Sequence, residues 1–184
     1  MRVRTVSVLL IITLFAGLVF TGCDRNAVTK MDLDDPVAIE DVNKSSAQVV
    51  RAFFESIYNG NKEIFEKCYP EVFISDLKDS DIDLYDEYAN SLVVPGTFIG
   101  TQYLKYNELS SEGGYEDYDL YISNISEIQG VDASKIESMQ IVAIKVYFEV
   151  DGENKYLEVY SIAYCLEGSW YMYEIQDSSA EFKN

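Results

Sequence analysis

From Ser45 the chain sets Val50, Phe53, Phe54, Ile57 and Tyr58 at intervals of three and four residues, the period that puts side chains on one face of an α-helix. Ser45 and Gln48 have capping-box spacing and Asn59-Gly60 ends the run, so a first amphipathic helix is predicted between them. A second, shorter helix is expected over 61–69, with Ile64, Phe65 and Cys68 on one side and Pro70 as its stop. The pattern stays mostly helical over 72–92, with Ile82, Tyr85, Tyr88 and Ala89 on a face, until Pro95-Gly96 breaks it. Residues 98–106, FIGTQYLKY, read as a strand. A Ser/Glu/Gly loop follows, and Tyr118, Tyr121, Ile122, Ile125 and Ile128 then return to helical spacing, closed by Gly130. The last third holds three β-rich runs, MQIVAIKVYFEV, KYLEVYSIAYCL and SWYMYEI, separated by Asp151-Gly152 and Glu167-Gly168. The fold class expected is α+β: N-terminal helices packed on an antiparallel sheet, all in one domain over 45–184.

Register follows from the turns. A two-residue Gly152-Glu153 loop, or the four-residue loop around it, pairs Phe148 with Leu157, Val146 with Val159, Ile144 with Ser161 and Val142 with Ala163. A two-residue Glu167-Gly168 turn pairs Cys165 with Trp170, Ala163 with Met172 and Ser161 with Glu174. One face is then apolar, interrupted only by Ser161 and Glu174, and must be the core face. The other carries Tyr147, Tyr156, Tyr160, Tyr164, Tyr171 and Tyr173 and is amphipathic.

Ahead of the domain the pattern changes twice. Residues 24–44 are polar and acidic with no sustained period, which suits a flexible spacer over 23–44. Before them stand Arg2 and Arg4, a 13-residue apolar run from Val8 to Phe20, and the small pair Thr21-Gly22. These are the three parts of an export signal, and the run is shorter than the ~20 residues a spanning helix needs. Cys23 directly after Thr21-Gly22 resembles the bacterial lipobox, with Phe20 where that pattern usually has Leu. The resemblance implies removal of residues 1–22, a diacylglycerol thioether and palmitate-type acylation at Cys23, and a lipid-anchored protein on the outer face of the cell membrane.

Charge narrows the partners. The chain has 14 basic and 32 acidic residues; loss of 1–22 removes two bases and no acid, leaving a net charge of −20. Such a chain repels nucleic acid and anionic headgroups, and favours cationic, neutral or protein surfaces. Its 48% hydrophobic content is ample for a core, so acidity does not imply disorder. Cys68 and Cys165 fall on apolar faces and are expected as buried thiols.

The helix VVRAFFESIYNGNKEIFEKCYP and the ending LEVYSIAYCLEGSWYMYEI resemble the nuclear-transport-factor-two-like superfamily, the cystatin-like roll that SnoaL-type proteins share. They are similar in particular to its small bacterial lipoproteins of unknown function. The resemblance covers about residues 45–176. It implies a strongly bent sheet whose concave side, under the helices, leaves a cone-shaped interior, and whose convex side pairs two subunits.

Candidate chemistry is sparse. The chain has no histidine, which removes the usual general base and the commonest zinc ligand. No cofactor and no metal are expected. Asp79-Ser80-Asp81-Ile82-Asp83 opens like a calcium loop, but Leu84 stands where that loop needs Gly and Asn90 where it needs Glu. Gly113-Gly114 lacks the context of a phosphate cradle and reads as a loop. Within the cone, Ser161, Glu174, Trp170 and Met172 are the candidate pocket residues, and burial of Glu174 would raise its pKa. The six tyrosines of the opposite face are the candidate interface for a homodimer, a protein or a glycan. The leading expectation is a non-enzymatic, lipid-anchored binding or interaction module. A carrier of a small apolar or cationic ligand and a Glu174-dependent enzyme are the alternatives: a carrier predicts an open pocket behind Trp170 and Met172, an interaction module a filled cone.

Overall fold

The computed structural model describes residues 33–110, 118–178 and 182–183; Cys23 and Gly113-Gly114 lie outside them. Five helices and four strands follow in the order α1 Ser46–Asn59, α2 Lys62–Lys67, α3 Glu71–Asp79, α4 Leu84–Ser91, β1 Thr97–Leu109, α5 Tyr118–Gln129, β2 Ile136–Val150, β3 Glu153–Leu166 and β4 Ser169–Ser178. The strands form one open antiparallel sheet in chain order, and the fold is α+β.

Local chemistry places the helix ends. Ser45 is extended (φ −154°) and its hydroxyl accepts the Gln48 N–H at 3.2 Å, capping α1. At the other end Gly60 takes φ 73°, its N–H returns to Ile57 and the Asn61 N–H to Ser56, a Schellman closure that needs the left-handed residue. Asn61 then caps α2 through the Ile64 N–H. The run expected to be mostly helical over 72–92 is two helices, α3 and α4, with a break at residues 80–83. Asp81 sits at φ 57° and Asp83 caps α4 through the Asp86 N–H, because aspartates bond their own main chain better at caps than inside a helix. Pro70 is the N-cap residue of α3 and not the stop of α2, which already ends at Lys67.

Both hairpins use two-residue turns with positive φ at each position, Asp151 and Gly152 at 55° and 77°, Glu167 and Gly168 at 51° and 79°. These are the dihedral signs that match the twist of paired strands. The first turn is thus one residue earlier than Gly152-Glu153. Phe148 pairs with Lys155, Val146 with Leu157, Ile144 with Val159 and Val142 with Ser161, a slip of two from the expected register. An even slip leaves every side chain on its expected face.

Between β3 and β4, Cys165 pairs with Trp170 and Ala163 with Met172, as the turn predicts. Beyond them the register shifts: Ile162 pairs with Glu174 and Ser161 with Ile175, so Tyr173 is an extra residue. This bulge moves Glu174 off Ser161, and the expected pair does not form.

The main core lies between the helices and the face carrying Val142, Ile144, Val146, Phe148, Val159, Ala163 and Met172, with Phe53 and Phe65 at its centre. Phe53 meets Phe54 and Tyr88 edge-on at 5.1 and 5.0 Å and Phe65 at 5.5 Å. A second, smaller core lies on the opposite face, where α5 sets Ile125 against Leu109, Met139, Ile162 and Tyr164.

Residues 33–44, expected as part of a solvated spacer, are packed into the fold. Val42 is fully buried and Val37 nearly so. Asp34 lies along the outer edge of β1, its N–H donating to the Thr101 carbonyl at 3.1 Å and its carboxylate accepting the Tyr103 N–H at 2.6 Å. Asn43 pairs with the outer edge of β4, its carbonyl accepting the Trp170 N–H and its amide donating to the Trp170 carbonyl. Both edge strands are thereby covered in part, which blunts pairing with other chains. Isolated valines in a polar stretch have no period, so pattern alone misses this packing.

Candidate functional site

Neither the cleft at Val93 nor the hollow beside Lys62 is lined by the four residues expected in a cone pocket. Met172 and Ser161 are fully buried in the main core, and Trp170 is half-buried beside Asn43. Glu174 is half-buried and accepts a hydrogen bond from Gln176 at 2.9 Å. Ser161 Oγ is buried with no hydrogen-bond partner among the described residues, and Tyr69 Oη, though close to Tyr88, also lacks a well-formed hydrogen bond. A buried hydroxyl left unpaired keeps its desolvation cost. Ser161→Ala is therefore expected to raise the unfolding free energy by about 1 kcal/mol, read as a higher urea midpoint at unchanged slope.

The tyrosine face is divided by α5. Tyr164 is fully buried and donates to Gln129 Oε1 at 2.5 Å, and Tyr171 and Tyr173 pack into the same small core, with Tyr173 edge-on to Tyr121 at 6.1 Å. Tyr164 is thus internal, Tyr171 and Tyr173 are half-buried against the small core, and Tyr147, on the other part of the face, is buried too: the sequence pattern shows that α5 exists but not on which face it lands. Burial pushes the pKa of the Tyr164 phenol well above the usual range. Tyr147, Tyr156 and Tyr160 lie beyond the helix. Tyr147 pairs across strands with Tyr156 at 5.4 Å and donates to Gln102 Oε1, Lys145 Nζ sits 4.2 Å above the Tyr156 ring, and Tyr160 donates to Glu158.

The open concavity is at the far end of the sheet from Trp170. It is a cleft of about 220 Å³ where the C-terminal turn of α1, the end of α4 and the start of β1 meet, lined by Ile57, Tyr58, Ala89, Leu92, Val93, Val94, Gly96, Phe98 and Phe148. Its deep wall is aromatic: Tyr58 stacks on Phe98 at 5.4 Å and meets Phe148 edge-on at 4.9 Å. Val93 stands at its mouth, 76% exposed. Gly96 has φ 126° and its α-carbon approaches the Glu149 carbonyl so closely that a β-carbon would lie 2.6 Å from that oxygen. Only glycine lets the 92–96 segment fold down onto β2 there. No lining side chain except Tyr58 is polar, so the other polar groups of the wall are peptide N–H and C=O. Burial pushes the Tyr58 pKa up, which keeps the phenol protonated. A smaller hollow of about 60 Å³ lies between α2, α3 and α4, beside the ion pair of Lys62 and Asp83.

The sequence analysis missed this cleft. Tyr58, Ala89 and Leu92 carry a helical period and Phe98 and Phe148 a strand period, so each reads as core. The one available signal is Val93-Val94-Pro95-Gly96, an apolar pair exposed by a break.

Cys68 and Cys165 are both buried free thiols. Burial pushes the pKa of Cys68 far above its ordinary value, and that of Cys165 is raised by burial and by the Glu137 carboxylate it donates to. Among the described residues no three His, Cys, Asp or Glu side chains gather as metal ligands, and no helix is long and apolar enough to cross a membrane. Comparison of the chain with protein-family models, with curated proteins and with solved structures finds no match.

Proposed function

We propose that this protein is a lipid-anchored, extracytoplasmic interaction module of the cell envelope, one that works by contact and carries out no catalysis. The resemblance of the sequence to the roll superfamily is the ground for expecting a binding scaffold, and the fold is α+β. The observation that carries the reading is the cleft at Val93, which is open, apolar and shallow, while Ser161 and Met172 are buried in the main core. Its 220 Å³ lies below the ~300–1,000 Å³ of small-molecule pockets. That volume suits one apolar side chain of a partner, the anchor-in-pocket arrangement that dominates protein interfaces. Tyr58 is the cleft's only titratable side chain, and as a protonated phenol it has no ready means of accepting a proton. This favours the interaction module over both the ligand carrier and the carboxylate enzyme.

A photo-reactive phenylalanine analogue at position 93 tests the assignment. On ultraviolet irradiation of cells it is expected to give one discrete adduct with an envelope protein, lost when Ala89→Phe fills the cleft. The same analogue at Val72, 45% exposed on α3, should not form that adduct. Identical adducts from both positions, or none from position 93, would refute the reading.

A further inference from the structure

The edge of β3 that lies past the end of β4 is held by Phe182 and Lys183. β4 runs alongside β3 as far as Ser178, opposite Val159. Phe182 and Lys183 then lie beside Tyr156 as a short antiparallel bridge, with Tyr156 N–H to Lys183 O at 3.0 Å and Lys183 N–H to Tyr156 O at 2.9 Å. Alternation along the extended backbone sends the two side chains to opposite faces. Phe182 sets its ring edge-on to Phe148, 5.9 Å away, on the core side, and Lys183 Nζ reaches Glu158 Oε2 at 3.0 Å on the tyrosine side. Glu158 also accepts from Tyr160, and Lys145 covers Tyr156, so Tyr147, Tyr156 and Tyr160 form the floor around this second contact.

We propose that this edge of β3 is a docking site for an extended peptide of a partner protein, bearing an aromatic residue followed by Lys or Arg, and that Phe182-Lys183 occupy it in cis until such a strand displaces them. The chain's own terminus defines the chemistry recognised. The Tyr156 peptide group reads an extended backbone, the Phe148 ring takes an aromatic side chain, and Glu158 takes a cation. The chain's 32 acidic against 14 basic residues attract a basic strand and repel an acidic one. Among the described residues Phe182-Lys183 are held by the Tyr156 bridge, the Glu158 ion pair and the half-buried Phe182 ring, and the Lys183 side chain is 48% exposed. Segments with little buried apolar contact open at the lowest cost in a fold. The edge site is distinct from the Val93 cleft, and its test reads out separately from that cross-link.

The test uses fluorescein-labelled SSAEFKN, a copy of residues 178–184, titrated by fluorescence anisotropy into the chain lacking residues 1–23. Lys183→Glu, an exposed change that leaves the core intact, and Phe182→Ala both weaken the tethered competitor. Each is expected to bind the peptide roughly tenfold more tightly than the unaltered chain, because the cis segment no longer competes at its high effective concentration. Glu158→Lys should abolish that gain, and SSAEAKN should not bind. Equal affinity of the unaltered and Lys183→Glu chains for the peptide, or no binding by either, overturns the proposal. Sedimentation of the unaltered chain as a dimer that Phe182→Ala disperses would assign the edge to the tail of a second copy and overturn the partner-protein assignment.

Discussion

Arg51→Met is expected to lower the unfolding free energy by about 3–5 kcal/mol, the cost of leaving one member of a buried ion pair uncompensated. Arg51 and Glu55 are adjacent turns of α1 and both side chains are about 10% exposed, with Nη2 and Oε1 3.2 Å apart. Each is held from a second direction. Arg51 Nε donates to Thr101 Oγ1 at 2.9 Å, Thr101 donates to Glu55 Oε1 at 2.5 Å, and the Val37 N–H donates to Glu55 Oε2 at 2.8 Å. Arg51 also donates to the Asp35 carbonyl and lies 3.6 Å from Asp34. One guanidinium therefore ties α1, β1 and the 34–37 strap together. Removing it leaves the Glu55 carboxylate buried and loosens the strap from β1. The double change Arg51→Met/Glu55→Leu should recover part of the loss, since no lone charge remains. Urea unfolding followed through Trp170, the only tryptophan of the chain, measures both. A loss below about 1 kcal/mol for the single change would show the pair to be solvated, as surface pairs are.

Cys23→Ser is expected to move the protein from the membrane fraction to the soluble one and to abolish labelling by an alkyne analogue of palmitate. Serine has no sulfur to form the thioether, and an acyl chain contributes about 0.8 kcal/mol per buried CH₂, so nothing comparable is left to hold the protein. The net charge, −18 for the full chain, opposes adsorption to anionic lipid. The two other cysteines cannot inherit the label, because Cys68 is fully buried and Cys165 nearly so. Retention of label or of membrane association by the serine chain would remove the anchor from the proposed function. With the anchor in place, the first packed residues follow closely. Ten residues from Cys23 to Leu33 span at most ~36 Å, so an anchor at Cys23 as proposed would hold the domain near the membrane surface.

The two parts of the tyrosine face differ in how far they could be read from sequence. Alternation alone assigns Tyr147, Tyr156 and Tyr160 to one face of β2 and β3, away from α5. Tyr164, Tyr171 and Tyr173 obey the same alternation, but α5 packs over them, burying Tyr164 and half-burying the other two. Their fate depends on the path of α5 between β1 and β2, and that path is set by how Ile125 and Gln129 meet Tyr164 and the β4 edge. Glu174 failed for a different reason. One extra residue in β4 changes the register, and the hydrophobic pattern on either side of a bulge is the same as without it.

What the sequence determined by itself is local in origin: the helices and their caps at Ser45, Asn59-Gly60 and Gly130, the three-stranded meander, both hairpin turns to within a residue, and which side of β2 and β3 faces the helices. Periodicity and turn dihedrals depend on neighbours a few positions apart, and an even register error does not change a face. The tertiary structure alone decided the packing of 33–44 against both sheet edges, the burial of Tyr147 and Tyr164, the cleft at Tyr58, Phe98 and Phe148, and the seat of Phe182-Lys183 beside Tyr156. Each of these joins residues distant in the chain, and their positions depend on how separately formed elements fill a shared volume, information that no single stretch of sequence carries.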